Sequence, residues 1–181
     1  KIEGVAQQLI RSVWSRLWDE DSNYPLIALD RGRPVAGISS DALHMLAYLE
    51  PGDIPPAHLA AIESVSVQLE TKYGYCSYAP YQIDYSADAY HLGSIWPYEQ
   101  ALIAEGAQRF GLEGVFWKST RVLRALEQLG FPEHIIWDER RLCRGGCEVQ
   151  LWTCAVPGAF ERLLQRHSQD RQGGPFRSEA E

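Results

Sequence analysis

Tyr90-His91-Leu92-Gly93-Ser94-Ile95-Trp96-Pro97-Tyr98-Glu99-Gln100, running on into Ala101, Leu102, Ile103 and Gly106, decides how the chain is read. It gathers aromatic rings, a histidine, a carboxylate and a carboxamide where a long loop enters a helix. Ser94 can cap the first free N–H groups and Pro97 suits a first turn. Leu102, Ile103, Gly106 and Phe110 then recur at helical spacing until Gly111 ends the run. A helix start carries unpaired N–H groups and the positive end of the helix dipole. A polar cluster there therefore favours oxygen-rich ligands and ionised carboxylates.

Downstream, Gly111-Leu112-Glu113-Gly114 links to a helix carrying Val115, Phe116, Val122, Leu123, Leu126 and Leu129, which Gly130 closes. A polar and aromatic loop, Phe131 to Glu148, then leads to a last helix with Val149, Trp152, Val156, Phe160, Leu163 and Leu164, kinked by Pro157. Residues 168–181 have almost no apolar side chain and read as a disordered tail, leaving residues 1–167 as the domain. Upstream, about twenty residues between Lys72 and His91 form a loop long enough to imply function. Before it, Pro55-Pro56 starts a helix carrying Leu59, Ile62, Val65 and Leu69 inward. Ser39-Ser40-Asp41 offers N-caps for another, through Leu43, Met45, Leu46 and Leu49 to Pro51-Gly52. Extended runs from Tyr24 to Leu29 and from Pro34 to Ile38 flank Asp30-Arg31-Gly32-Arg33 and predict one small β-hairpin. Val5, Leu9, Val13 and Leu17, widened by Ile10 and Trp14, predict an amphipathic helix over residues 3–18. The expectation is an all-α domain of six helices in three hairpins. Its long loops share one rim and carry the chemistry; the ordinary alternative is a helical bundle with long loops.

The composition narrows the function. At 181 residues and 45% apolar, the chain suits one globular domain, and a net charge of -7 with no basic stripe argues against nucleic acid. Six Trp, nine Tyr and five Phe fit either stacking on sugar rings or a core. Cys76, Cys143, Cys147 and Cys154 are too few and too uneven for a disulfide framework, so a reducing cytoplasm is expected. The Cys143–Cys147 spacing lacks the second pair or the histidines of a zinc site. No apolar run approaches a membrane span, and no phosphate-cradling loop, nucleophile elbow or zinc-protease motif occurs, so no metal or cofactor is expected. The chain begins without methionine inside a helical pattern, which reads as a piece of something longer.

Tyr90-His91-x-Gly93-Ser94-Ile95-Trp96-Pro97 followed by Ala101-Leu102-Ile103-Ala104 resembles the motif of the amylo-1,6-glucosidase, or glycogen-debranching, family. There a Tyr-His-x-Gly-Ser-Val-Trp-Pro segment opens an inner helix. Ala28-Leu29-Asp30 through Pro34-Val35 to Ser39-Ser40-Asp41-Ala42-Leu43-His44 resembles the family's hairpin and serine-rich helix start. Phe131-Pro132-Glu133 with Cys147-Glu148-Val149-Gln150-Leu151-Trp152-Thr153 resembles its Pro-Glu loop and Gln-x-Trp helix start. Where relatives carry His-Asp-Asn after the Trp-Pro, this chain has Tyr98-Glu99-Gln100.

The resemblance implies a toroid of six helical hairpins, the (α/α)6 fold, of which this chain would be the C-terminal three. It implies hydrolysis of the α-1,6 links of a branched glucan. An inverting glycosidase needs two carboxyl groups about 6.5–9.5 Å apart, one to protonate the leaving oxygen and one to activate water. By its place in the pattern Glu133 is the expected general base, with Glu99 the runner-up and Glu148 third. The acid, an aspartate, is expected in the half before Lys1, which would leave this chain inactive alone. Trp96 and Trp152 are expected to wall a sugar subsite, with Asp41, His44, His91, Glu99 and Gln150 on its hydroxyls. Tyr73, Tyr75, Tyr78, Tyr81 and Tyr85 are expected at its rim. His44 fits equally well as a core histidine, and Glu99 as a cap that holds His91. Two competing readings remain: a non-catalytic helical carbohydrate-binding module, and another toroid glycosidase, trehalase-like or an α-glucosidase or mannosidase.

Overall fold

The structure is a computed structural model and describes residues 2–172. Helix α1 (Ile2–Arg16) leads into a short ribbon, β1 (Trp18–Asp19) against β2 (Tyr24–Pro25), and then a second, β3 (Ala28–Asp30) against β4 (Arg33–Val35). Helix α2 (Asp41–Met45) passes into a 3-10 turn at Leu46–Tyr48, and α3 (Pro56–Ser66) into another at Val67–Leu69. A third ribbon pairs β5 (Glu70–Thr71) with β6 (Gly74–Tyr75). Helices α4 (Pro97–Phe110), α5 (Glu113–Thr120) and α6 (Val122–Leu129) follow, then the ribbon of β7 (His134–Trp137) and β8 (Leu142–Gly145), and finally α7 (Leu151–Cys154) and α8 (Val156–Gln172).

Helix α4 is the hub, packed by α5, by α2 and its 3-10 turn, and by α8. Its inner face buries Ile103, Ala104 and Ala107 with Leu43, Leu46, Phe116 and Phe160. Gly106 permits the close approach of α2's end: a Cβ there would stand 2.7 Å from the carbonyl carbon of Leu46. Gly111 closes α4 in the left-handed conformation at φ 71°, which glycine adopts without strain.

The helical reading holds in outline and is corrected in detail. Among the described residues four two-stranded ribbons stand where a single hairpin was expected; β5–β6 turns at the entry to the 72–91 loop, and β7–β8 lies within the 131–148 loop. Ser94 is not the cap of α4. The helix starts at Pro97, and the Ser94 hydroxyl turns back to the Tyr90 carbonyl at 2.6 Å. The helix expected through Val115 and Leu129 breaks at Arg121, and the last one breaks at Ala155 rather than bending at Pro157, which lies in the first turn of α8. That helix continues to Gln172, through the first residues of the expected tail; residues 173–181 lie outside the described residues. On α1, Val5 and Leu9 stay more than half exposed, while Trp14 anchors the helix by donating its indole N–H to the Asp53 carbonyl at 2.6 Å. No helix among the described residues is long and apolar enough to cross a membrane.

Candidate active site

Four segments distant in sequence run side by side beneath one cleft. Ser40 donates its backbone N–H to the Ser77 carbonyl at 3.2 Å, and Ser77 donates to Ser94 at 2.9 Å. Ile95 and Ile135 exchange backbone bonds at 2.9 and 2.8 Å. Backbone pairing therefore fixes the starts of α2 and α4 against β7, and side chains projecting from these segments converge. The cleft encloses about 750 Å³, and Asp41, His44, His91, Trp96, Glu99 and Trp152 all line it, with Tyr90 and Tyr98.

Glu99 forms part of the floor and is only 7% exposed. The Ser40 hydroxyl donates to its Oε1 at 2.6 Å. That hydroxyl was one of three N-cap candidates for α2 and makes no cap bond. Burial pushes the Glu99 carboxyl up to about 7, the Asp41 charge adds to this, and the Ser40 bond opposes it. His44 Nδ1 lies 3.8 Å from Glu99 Oε1. Desolvation holds His44 below its ordinary value, against the pull of Asp41, so near neutrality this contact is not a charged pair. Asp41 accepts from the Ser39 hydroxyl at 2.9 Å and remains exposed to the cleft.

Aromatic rings form one wall. Trp96 lies near-parallel to His91, centroids 5.9 Å apart, and meets the edge of Tyr90 at 4.7 Å. Its indole N–H donates to the Tyr90 carbonyl at 3.2 Å, which fixes the ring's plane. Trp152, from α7, stands across from Tyr98 with 47% of its surface exposed. Flat apolar faces beside hydroxyl-bonding groups suit a sugar ring, whose C–H face is apolar and whose rim is polar. Of the tyrosines expected at the rim, Tyr73 and Tyr75 are core residues, 4% and 2% exposed. Tyr78 lines the cleft, and Tyr85 lines a separate depression with Trp137.

Glu133 stands just behind the lining. The Tyr90 hydroxyl donates to its Oε1, and the Cys147 backbone N–H donates to its Oε2 at 3.1 Å. These two bonds, Tyr90's first, hold its carboxyl below the usual range, so it is ionised at neutral pH. Gly146, at φ 64°, passes directly beneath: a Cβ there would collide with the Glu133 carboxylate. Gln150 lies outside the cleft lining. It caps α7, accepting from the Leu151 N–H at 3.3 Å, and its own N–H bonds to the Phe131 carbonyl. Glu148 is exposed and away from the lining.

Sequence reasoning missed two residues. Tyr90 heads the deciding motif, yet its bond to Glu133 spans 43 positions and leaves no local trace. Gln100 was read only as part of the Tyr98-Glu99-Gln100 departure, but it is fully buried and bonds both backbone groups of Tyr75.

The sequence profile described as the mannosylglycerate hydrolase MGH1-like glycoside hydrolase domain matches residues 1–145. Among solved structures, the chain is similar to the GH63 mannosylglycerate hydrolase of Thermus thermophilus in complex with glucose. The TM-score is 0.70 at 20% identity, over 82% of this chain and 37% of that one. The same enzyme in complex with Tris and D-glycerate gives a TM-score of 0.70 at 20% identity, over 82% and 36%. The chain thus spans little more than a third of the length of these structures, and at this identity the likeness shows the fold. No curated protein matches the chain.

Proposed function

Because the chain belongs to the mannosylglycerate hydrolase MGH1-like glycoside hydrolase family, we propose that it forms the general-base side of the active site of a toroid glycosidase. Within that reading the enzyme acts by inversion, releasing a terminal hexose from a small α-linked glycoside of the mannosylglycerate type. The family match reaches glycoside hydrolase and not the amylo-1,6-glucosidase that the motifs resembled. The alternative of another toroid glycosidase is compatible with it. The branched α-1,6 glucan stays as the second substrate to test, on the strength of the Tyr90–Pro97 motif.

One observation carries the assignment: Glu133 is an ionised carboxylate held by Cys147 and by Tyr90, which itself lines the cleft beside Trp96. A general base must be unprotonated before the reaction, and two donated hydrogen bonds keep it so. Glu99, pushed up to about 7, is half protonated at neutrality and fits the base role less well. With Asp41, His44 and His91 it faces the hydroxyls of the bound ring instead. Gln150 contributes by fixing the entry of α7, which carries Trp152. The general acid comes from the remainder of the toroid, and the chain by itself does not turn over.

In the full-length enzyme, Glu133→Gln is expected to cut kcat on mannosylglycerate and on α-linked glucosides by a factor of about 10²–10⁴ with KM little changed. Release of hexose, followed enzymatically, measures it. Undiminished turnover by the variant would remove Glu133 from the chemistry. If no glycoside is turned over while sugars still bind, the protein is a carbohydrate-binding module.

A further inference from the structure

Glu99 has one oxygen in use and one idle. Oε1 takes the Ser40 hydroxyl at 2.6 Å, while Oε2 is buried and has no hydrogen-bond partner. A buried carboxyl oxygen without a donor is costly, and such groups in folded proteins normally find one. The ring nitrogen Nδ1 of His44 stands 3.8 Å away on the Oε1 side, beyond hydrogen-bond range. Glu99 lines the cleft, so the donor that completes it can enter with a ligand.

We propose that Glu99 is a proton-linked receptor for a hydroxyl of an uncharged sugar ring, which its ionised form accepts at Oε2 while the carboxyl proton passes to solvent. The proposal rests on the carbohydrate reading of the cleft and assigns the end of the substrate that sits on the floor. An ionised oxygen accepting a hydroxyl makes a short, charge-assisted bond, and no covalent bond changes. A ligand carboxylate in the same place meets a like charge and binds only while Glu99 keeps its proton. In a glycoside bearing an acid group, the neutral ring therefore lies over Glu99 and the acid group lies elsewhere.

The surroundings set the midpoint. Asp41 and His44 face Glu99 from α2, the phenol of Tyr24 from β2, the thiol of Cys76 from the segment after β6, and Tyr98 from its own helix, with His91 also on the cleft wall. Burial and Asp41 raise the carboxyl and Ser40 lowers it, to about 7, so the exchange falls near neutrality.

Calorimetric titration of the full chain with D-glucose, between pH 5.5 and 8.5 in two buffers of different ionisation heat, tests this. Below the midpoint, binding is expected to release close to one proton, with affinity rising roughly tenfold per pH unit and levelling above it. In Glu99→Gln, glucose binding loses its buffer-dependent heat and its pH dependence. Should that variant not fold, Ser40→Ala is expected to move the midpoint up and Asp41→Asn to move it down. Glucose binding with no buffer-dependent heat, or with a midpoint that neither variant shifts, overturns the linkage and leaves the carbohydrate reading standing. Absence of binding by any hexose at any pH overturns both. Loss of the hydrolase reading alone shows in the Glu133→Gln assay instead.

Discussion

Gln100→Leu is expected to cost this fold a large part of its stability, although it replaces one buried side chain by another of similar size. Gln100 is 0% exposed, accepts from the Tyr75 N–H at 2.8 Å and donates to the Tyr75 carbonyl at 3.0 Å. Tyr75 is itself buried, so neither backbone group has water to turn to. Leucine leaves both unpaired at about 1–3 kcal/mol each, a loss of roughly 4 kcal/mol. That is a large fraction of the 5–15 kcal/mol by which domains are ordinarily stable. With a urea slope of about 2 kcal/mol/M, the midpoint falls by about 2 M. Urea unfolding followed by tryptophan fluorescence and circular dichroism measures it. The loss also reaches the cleft, because Tyr75 is followed within three residues by Ser77 and Tyr78, which line it. A loss under about 1 kcal/mol would refute the reasoning, since it would mean that Tyr75 finds other partners or that the clamp is not formed.

Two further outcomes follow from the site. Gly146→Ala adds a Cβ that runs into the Glu133 carboxylate at a φ of 64°. It should reduce turnover of the full-length enzyme at least about tenfold by displacing the base, while the melting temperature falls by only a few degrees; unchanged turnover would contradict the placement of Glu133. Glu99 also makes stability pH-dependent. Its folded value of about 7 stands above the unfolded 4.5, so the folded state keeps a proton that the unfolded chain loses, and stability falls as pH rises from 4.5 through 7. A separation of about 2.5 pH units corresponds to about 3 kcal/mol. Relative to wild type, Glu99→Gln should therefore gain up to about 3 kcal/mol between pH 5 and pH 8 in denaturant titrations. A difference that stays constant with pH would show that Glu99 does not carry the shift.

Much of the helical scaffold was legible in the residues because periodicity is a local signal. Leu102, Ile103, Gly106 and Phe110 before Gly111 marked α4 to within a few residues, and Val122, Leu126 and Leu129 before Gly130 marked the end of α6, though not the break at Arg121 that separates it from α5. The ribbons at the entry to the first long loop and inside the second were not legible, because strands of two to four residues are too short to show alternation. Cap residues misled where a hydroxyl had a stronger distant partner: Ser40 bonds Glu99, 59 positions away, in preference to capping α2.

For the site, residue types and their spacing along the chain singled out Tyr90–Gln100, Ser39–His44 and Phe131–Trp152 as segments to be read together, and the glycosidase class followed from their resemblance to known motifs. The same pattern could not distinguish Glu99, Gln100 and Glu133 in role, since a carboxylate or carboxamide near a helix start looks alike in each case. Tertiary structure separated them by desolvation and by partners. Glu99 is sunk under Ser40 with one oxygen unpaired, Gln100 is clamped to the Tyr75 backbone, and Glu133 is held ionised by Tyr90 and Cys147. Protonation and hydrogen bonding depend on what surrounds a group in space, and the chain brings those surroundings together only when it folds.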